Sequence, residues 1–124
     1  MIERHVRAIR GATTVKEDTA GAINAATQTL LREIATRNNI APTDVISALF
    51  TVTSDLRSEF PARAARELGW LDVPLLCTVE IPVPGALPRC IRVLLHIETH
   101  RPRGAIEHVY LDGARSLRPD LLRD

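Results

Sequence analysis

One long helical pattern among short strand-like segments is the feature that most constrains how this chain folds. Apolar residues and one threonine recur at intervals of three and four, which is the spacing of one face of an amphipathic helix. The residues on this face are Ile23, Ala26, Thr27, Leu30, Leu31 and Ile34. Asp18 or Thr19 is placed to cap the start, and Asn38 and Asn39 to end it. The pattern therefore predicts one long helix that packs through one face.

Five other segments are short and rich in apolar and β-branched residues, which predicts strands. They cover residues 6–9, 45–53, 73–81, 90–99 and 108–111. Small residues after Ile9 are expected to lead the chain out of the first strand. Residues 41–44 fit a turn or a single helical turn, and residues 60–69 have proline near the start and glycine at the end, as a short helix does. The chain is thus predicted to be a single α+β domain over residues 1–124, with a flexible tail at 116–124.

The fourth predicted strand has two chemically different faces because side chains alternate along a strand. One face carries only branched apolar residues, namely Ile91, Val93, Leu95 and Ile97. The other carries Arg92, Leu94, His96 and Glu98. A chain of 124 residues has little left to cover this second face once the long helix has covered the first. We therefore expect the second face to be buried against identical subunits.

The sequence argues against two kinds of partner, nucleic acid and membranes. The formal net charge is +1, and only four residues are aromatic, so neither a basic surface nor a base-stacking platform for nucleic acid is expected. No apolar run approaches the roughly 18 residues of a membrane span. The sequence predicts a cytoplasmic protein that binds neither nucleic acid nor membrane.

The residues that usually hold metals or nucleotides are dispersed. Cys77 and Cys90 form no C-x-x-C pair and have no histidine cluster beside them, which predicts free thiols and no zinc site. The glycines lie in separate turns and form no phosphate-binding loop. No metal and no cofactor are therefore expected.

Three arginines stand singly inside or beside apolar segments: Arg10, Arg92 and Arg118. A guanidinium keeps its charge and is costly to bury without a partner, so these positions indicate a site for an anion. The alternative for Arg92, and for Glu80 on the preceding strand, is a strand residue that faces solvent. Cys77 and Glu80 have opposite parity, so an ideal strand cannot direct both side chains into one cavity. Without a nucleophile or metal, such a site suits binding and electrostatic stabilisation.

Five motifs follow one another along the chain: IRGATTV (9–15), DL (55–56) with FPA (60–62) and RE (66–67), CIRV (90–93), HVYL (108–111) and LRPDL (117–121). In this order they resemble the motifs of the small monofunctional chorismate mutases of the trimeric pseudo-α/β-barrel class. The resemblance implies a five-stranded mixed sheet packed by one long helix and short helices. It also implies a homotrimer with active sites between neighbouring subunits.

The implied reaction is the intramolecular Claisen rearrangement of chorismate to prephenate, in phenylalanine and tyrosine biosynthesis, without cofactor or covalent intermediate. By resemblance, Arg92 donates to the ether oxygen as it becomes negative, and Glu80 accepts from the ring hydroxyl. Arg10 binds a substrate carboxylate, and Tyr110 is a second donor near a carboxylate. The other residues implied to contact substrate are Phe60, Ala62, Arg63, Arg66, Leu75, Leu76, Cys77, Leu117 and Arg118.

The resemblance implies different roles for these further residues. Phe60 and Leu117 resemble apolar walls, Cys77 a neighbour of the ring hydroxyl, and three arginines (Arg63, Arg66 and Arg118) a flexible cationic mouth. The sequence departs from the family pattern at Leu75 and Leu76, where some members carry a more polar pair, and at Arg63, where a lysine also occurs. The alternatives are a trimeric small-carboxylate-binding or enamine/imine deaminase-like protein of similar architecture, and a plain interaction module.

Overall fold

A computed structural model describes residues 3–121 of the chain as one mixed sheet with a long helix packed on it. The strands are β1 (His5–Thr14), β2 (Val45–Val52), β3 (Leu75–Val79), β4 (Cys90–Thr99) and β5 (Val109–Tyr110). Their order across the sheet is β3-β2-β4-β1-β5. Pairs β1–β4 and β2–β4 are antiparallel, whereas β2–β3 and β1–β5 are parallel. The predicted five-stranded α+β fold is confirmed.

Two α-helices and four 3₁₀ turns complete the fold: α1 (Ala20–Asn38), α2 (Ala62–Glu67), and turns at Pro42–Asp44, Arg103–Ala105, Asp112–Ser116 and Pro119–Leu121. The Thr19 hydroxyl accepts a hydrogen bond from the Ala22 N–H at 3.1 Å, which caps the start of α1. Asn39 ends the helix in the left-handed conformation with φ of 51°. Both ends of α1 therefore lie where its capping residues predict them.

The main core lies between α1 and one face of the sheet. Leu30, Leu31 and Ile34 from the helix meet Ile9 and Phe50 from the strands, and all are fully buried. The predicted apolar face of β4 contributes to this side: Ile91, Val93, Leu95 and Ile97 are each at most 4% exposed. Its alternation is confirmed, so the direction of the Arg92 side chain away from α1 follows from the sequence pattern.

The first strand is longer than the sequence predicts. Residues 10–14 were expected to leave the sheet, yet β1 continues to Thr14, which pairs with Cys90. Small residues are present because α1 crosses this strand closely: a Cβ on Gly11 would lie 2.6 Å from Ile34 Cδ1 and 3.0 Å from Val93 Cγ1. Glycine at this position therefore serves close packing of helix on strand.

We expect Gly11→Ala to destabilise the fold by about 1–3 kcal/mol, because the added methyl group overpacks a filled core. Ile34 and Val93 are both buried and have little room to move aside. Urea denaturation of the variant beside Gly21→Ala measures the effect. Gly21 is the matched control because its Cβ would meet no atom within 4 Å. Equal unfolding free energies for the two variants would contradict the packing argument.

Several other strand and helix boundaries differ by a few residues from those that the sequence predicts. Strand β3 is shorter than the predicted 73–81, and β5 is shorter than 108–111. The short helix occupies Ala62–Glu67 within the predicted 60–69. The predicted flexible tail at 116–124 forms 3₁₀ turns as far as Leu121, while residues 122–124 lie outside the described residues.

The sheet surface opposite α1, here called the open face, carries apolar side chains that the chain only partly covers. Strand register places Leu76, Leu49, Leu94 and Arg10 in one row across this face. Leu49 and Leu94 are half-buried, and Leu76 is 65% exposed. An exposed apolar row in the middle of a sheet is typical of a surface that another protein covers.

Candidate active site

The next row of the open face holds Arg92 and Tyr110, two of the predicted site residues. Thr51 on β2 lies opposite Arg92 on β4, which lies opposite Ala12 on β1, and Ala12 pairs with Tyr110 on β5. Paired positions in a sheet direct their side chains to the same face. A cleft of about 170 Å³, here called the arginine cleft, opens there. It is lined by Arg10, Leu49, Thr51, Glu80, Arg92 and Tyr110, among others.

Arg92 and Glu80 form a two-point ion pair in this cleft. Arg92 Nε donates to Glu80 Oε2 at 2.8 Å, and Arg92 Nη2 donates to Glu80 Oε1 at 2.6 Å. Glu80 follows the last residue of β3, and its backbone N–H donates to the Val52 carbonyl at 2.9 Å, which extends the sheet by one residue. The parallel geometry of guanidinium and carboxylate fixes the orientation of both groups.

The pair also fixes their charge. Hydrogen bonds from Arg92 and then from Thr51 hold the pKa of Glu80 below its usual value, although partial burial opposes the shift. The carboxylate in turn raises the pKa of Arg92 above its usual value. Both groups therefore stay ionised at neutral pH. The unused N–H groups of Arg92 remain available as donors, and the carboxylate keeps acceptor capacity.

Tyr110 forms the floor of the cleft at its β5 end. The ring is 5% exposed and packs with Ala12, Ala114 and the half-buried Leu117. Burial raises the pKa of Tyr110 above its usual value, against the effect of the nearby charges of Arg10, Arg118 and Arg92. The phenol consequently keeps its proton and can donate a hydrogen bond, close to three cationic side chains.

The C-terminal residues reach the same region. Leu117 packs beside Tyr110 and lines a recess together with Glu80 and Arg92. Arg118 is partly buried and pairs with Asp120, with Nε to Oδ1 at 3.1 Å and Nη2 to Oδ2 at 2.9 Å. This pairing lowers the pKa of Asp120 and raises that of Arg118. The predicted mouth arginine is therefore near the cleft but bound to its own neighbour.

A second group of predicted site residues lies around a separate groove of about 370 Å³, here called the Phe60 groove. Phe60, Pro61, Cys77 and Thr78 line it, and the Phe60 ring is 67% exposed. Asp18 holds the preceding loop, because its Oδ1 accepts from the backbone N–H groups of residues 57 and 58 at 2.9 and 3.1 Å. The exposed ring is thus presented from an anchored loop.

Helix α2 begins directly after this loop and carries two exposed arginines. Arg63 bonds to Glu59 at 2.8 Å and lies 3.9 Å from Glu67, whereas Arg66 is exposed at the next turn. Ala62 is buried in the main core, so its side chain does not line the groove. The two arginines provide positive charge beside Phe60.

Within one chain the predicted site residues therefore form two separate groups. Arg10, Glu80, Arg92 and Tyr110 meet in the arginine cleft. Cys77 has the parity of Phe50 and packs toward the core, as does Leu75, while Leu76 and Glu80 have the opposite parity. The predicted opposition of Cys77 and Glu80 is confirmed. The arginine cleft and the Phe60 groove thus divide the predicted site residues between two separate surface features of the chain.

Thr51 is a cleft residue that the sequence did not single out. Its hydroxyl donates a short hydrogen bond to Glu80 Oε2, and its side chain lines the arginine cleft. The signal available was a hydroxyl residue near the end of β2, a strand that is otherwise apolar except for Ser47. Threonine is so common in strands that this signal alone does not mark a site.

Along nearly its whole length, the chain is similar to known proteins. A chorismate mutase from Clostridium thermocellum has a solved structure with TM-score 0.87 and 52% identity, covering 88% of this chain and 97% of that one. The curated protein "Chorismate mutase AroH" of Thermus thermophilus is 53% identical over 94% of this chain and 96% of its own length. Its namesake from Bacillus subtilis is 47% identical over 94% of this chain and 92% of its own. The family model "Chorismate mutase type I" matches residues 6–121.

The chain belongs to the type I chorismate mutases. A chorismate mutase is an isomerase of aromatic amino acid biosynthesis, so the function predicted from five ordered motifs is confirmed. The enamine/imine deaminase-like alternative is not favoured. The similarity spans all five strands and both helices.

Two features are absent from residues 3–121 of this chorismate mutase. In that range no three His, Cys, Asp or Glu side chains come together as a group able to hold a metal ion. The two helices of the same range are too short or too polar to cross a bilayer. Cys90 is buried, and burial raises the pKa of its thiol to about 11, so it stays protonated beside the cleft.

Proposed function

We propose that this chorismate mutase rearranges chorismate to prephenate in the arginine cleft, after the Phe60 groove of a second copy has closed over it in a homotrimer. The observation that carries the proposal is the paired Arg92 and Glu80, held beside Arg10 and Tyr110 on the open face. This set supplies two cationic donors, one neutral donor and one anionic acceptor. It matches the charges of a dicarboxylate that carries a ring hydroxyl and an ether oxygen.

The reaction breaks the ether C–O bond and forms a C–C bond within one molecule, so no proton or group passes to the protein. The enzyme must hold the substrate compact and stabilise the charge that develops on the ether oxygen. An N–H of Arg92 donates to that oxygen, and Glu80 accepts from the ring hydroxyl. Arg10 and Tyr110 bind carboxylate groups. Fixed donors need no rearrangement as the charge appears, which is why they stabilise the transition state more than water does.

The proposed homotrimer accounts for the division of the site residues. Leu76, Leu49 and Leu94 leave an apolar row on the open face, and the Phe60 ring is exposed elsewhere on the chain. A head-to-tail interface joins two different surfaces and closes into a ring when the rotation is one third of a turn. Each of the three subunit interfaces in the closed trimer then combines the arginine cleft of one subunit with the Phe60 groove of the next.

Mixed trimers test this proposal directly. Arg92→Ala inactivates the arginine cleft, and Arg66→Ala weakens the groove side. When the two variants are denatured and refolded together, random assembly leaves about one site in four with both halves intact. We expect the mixture to regain up to about a quarter of wild-type turnover, measured by loss of chorismate absorbance.

The matched control mixes Arg92→Ala with Glu80→Ala. Both changes affect the same half-site, so every site in those trimers stays defective and no activity returns. Each variant refolded alone sets the baseline. Absence of recovery in the Arg92 and Arg66 mixture would mean that each site is built from a single subunit. Recovery in the control mixture would mean that Arg92 and Glu80 of one site come from different subunits, which would contradict the proposed division of the site.

We also propose that the protein acts in the cytoplasm, as one catalytic domain over residues 1–124. Fractionation of the host cell with an antibody to the protein tests the location. Limited proteolysis of the purified protein tests the single domain, since a stable shorter fragment would indicate a second unit.

A further inference from the structure

We propose that Thr51 is a positioning residue, which holds Glu80 so that only one of its carboxylate oxygens can accept from the substrate hydroxyl. The inference rests on the proposed function of Glu80 and goes beyond it, because it concerns a residue of another strand. It also makes Thr51 responsible for the angle at which Arg92 meets the substrate.

Three neighbouring strands make the arrangement rigid. Thr51 on β2 pairs with Arg92 on β4 and with Thr78 on β3, and Glu80 comes two residues after Thr78. The Glu80 N–H is tied to the Val52 carbonyl, so the glutamate backbone cannot move away from β2. Thr51 is half-buried and β-branched, which leaves its hydroxyl few directions in which to point.

The hydrogen bonds on Glu80 are unequal between its two oxygens. Oε2 accepts from Arg92 Nε and from the Thr51 hydroxyl, whereas Oε1 accepts from Arg92 Nη2. A carboxylate oxygen has two lone pairs directed in its plane, so these two donors fill Oε2. The remaining acceptor position is on Oε1. A substrate hydroxyl that bonds to Glu80 must therefore approach Oε1, the oxygen that Arg92 Nη2 also contacts.

The Thr51 hydroxyl affects the orientation of the bound substrate more than its affinity. Without the Thr51 hydroxyl, Glu80 Oε2 is free to accept a hydrogen bond from the substrate or from water. The ring of the substrate can then bind in a second, unreactive orientation. Arg10 and Tyr110 bind the substrate carboxylates in either case, because they approach from β1 and β5. Loss of the hydroxyl should consequently lower kcat and leave KM nearly unchanged.

Steady-state kinetics of Thr51→Val and Thr51→Ser provide the test. Valine keeps the shape and strand propensity of threonine but lacks the donor, and serine keeps the donor. We expect kcat to fall roughly tenfold in Thr51→Val, as for loss of a hydrogen bond to a charged group, with KM within about threefold of wild type. Thr51→Ser should retain most of the turnover. Thr29→Val, which removes an exposed hydroxyl from α1 on the other side of the molecule from the cleft, should match wild type.

A double-mutant cycle separates this inference from the proposed function. In a Glu80→Ala background, Thr51→Val should cause no further loss, because its effect acts through Glu80. An equal loss in both backgrounds would overturn the positioning role, as would full activity of Thr51→Val. Full activity of Glu80→Ala alone would instead overturn the proposed role of Glu80. If Thr51→Val does not fold, Thr51→Ala in the same cycle gives the same discrimination.

Discussion

Replacing Arg92 by alanine should lower kcat by at least about a hundredfold while the protein stays folded and assembled, since loss of one transition-state donor typically costs 10²–10³. The side chain is half exposed and directed away from the core, so its removal leaves no cavity. It leaves Glu80 without its main partner, and the loss of that ion pair adds to the loss of the donor. Stopped-time chorismate assays give kcat, and circular dichroism checks the fold.

Arg92→Lys is the informative companion to the alanine variant. An ammonium group keeps the positive charge but lacks the planar fork that meets both oxygens of Glu80. We expect Arg92→Lys to remain at least about tenfold slower than wild type, because geometry as well as charge is needed. Near-normal turnover in Arg92→Ala would remove this residue from the mechanism. Full activity in the lysine variant alone would show that charge suffices.

Replacing Leu94 by glutamate should convert the proposed trimer into monomers and reduce turnover to below about one hundredth of wild type. Leu94 lies in the middle of the open face, where the register places it between Leu49 and Arg10. In the proposed trimer the carboxylate of each subunit would be buried at the interface, at a desolvation penalty of several kcal/mol that a neighbouring arginine offsets only in part. In a monomer the half-buried position lets a flexible glutamate reach water. Sedimentation velocity at micromolar concentration measures the mass.

Thr29→Glu is the matched control for this change. Thr29 is exposed on α1, on the far side of the helix from the sheet, and the variant adds the same single charge. It should sediment and turn over like wild type. A Leu94→Glu protein that remains trimeric would place the subunit contact on another surface, whatever its activity.

Local periodicity predicted the parts of the fold that local interactions determine. The spacing from Ile23 to Ile34 defined α1, and the alternation through Ile91 and Arg92 assigned both faces of β4. The extent of β1 could not be obtained this way. Its small residues look like a loop in isolation. They form a strand because they pair with residues 90–94 of β4, and position 11 is glycine because α1 needs space above it.

The candidate site shows the same division between local and non-local information. Arg10 and Arg92 stand out as single arginines in apolar segments, and the family resemblance adds Glu80 and Tyr110, but their meeting depends on the strand order β3-β2-β4-β1-β5. Nothing in the spacing of Glu80 and Arg92 indicates a two-point ion pair. That pair forms because β2 lies between their two strands and aligns both, which is also why Thr51 escaped notice.

The close contact at Gly11 restricts how this protein can change over generations. A side chain at that position collides with Ile34 and Val93, so a larger residue is acceptable only after one of these two has become smaller. Positions on a strand, a helix and another strand thus form one unit of substitution. Gly11 adjoins Arg10, and Val93 adjoins Arg92. Substitutions in this buried contact would therefore shift the site residues, and this constrains how the contact can evolve.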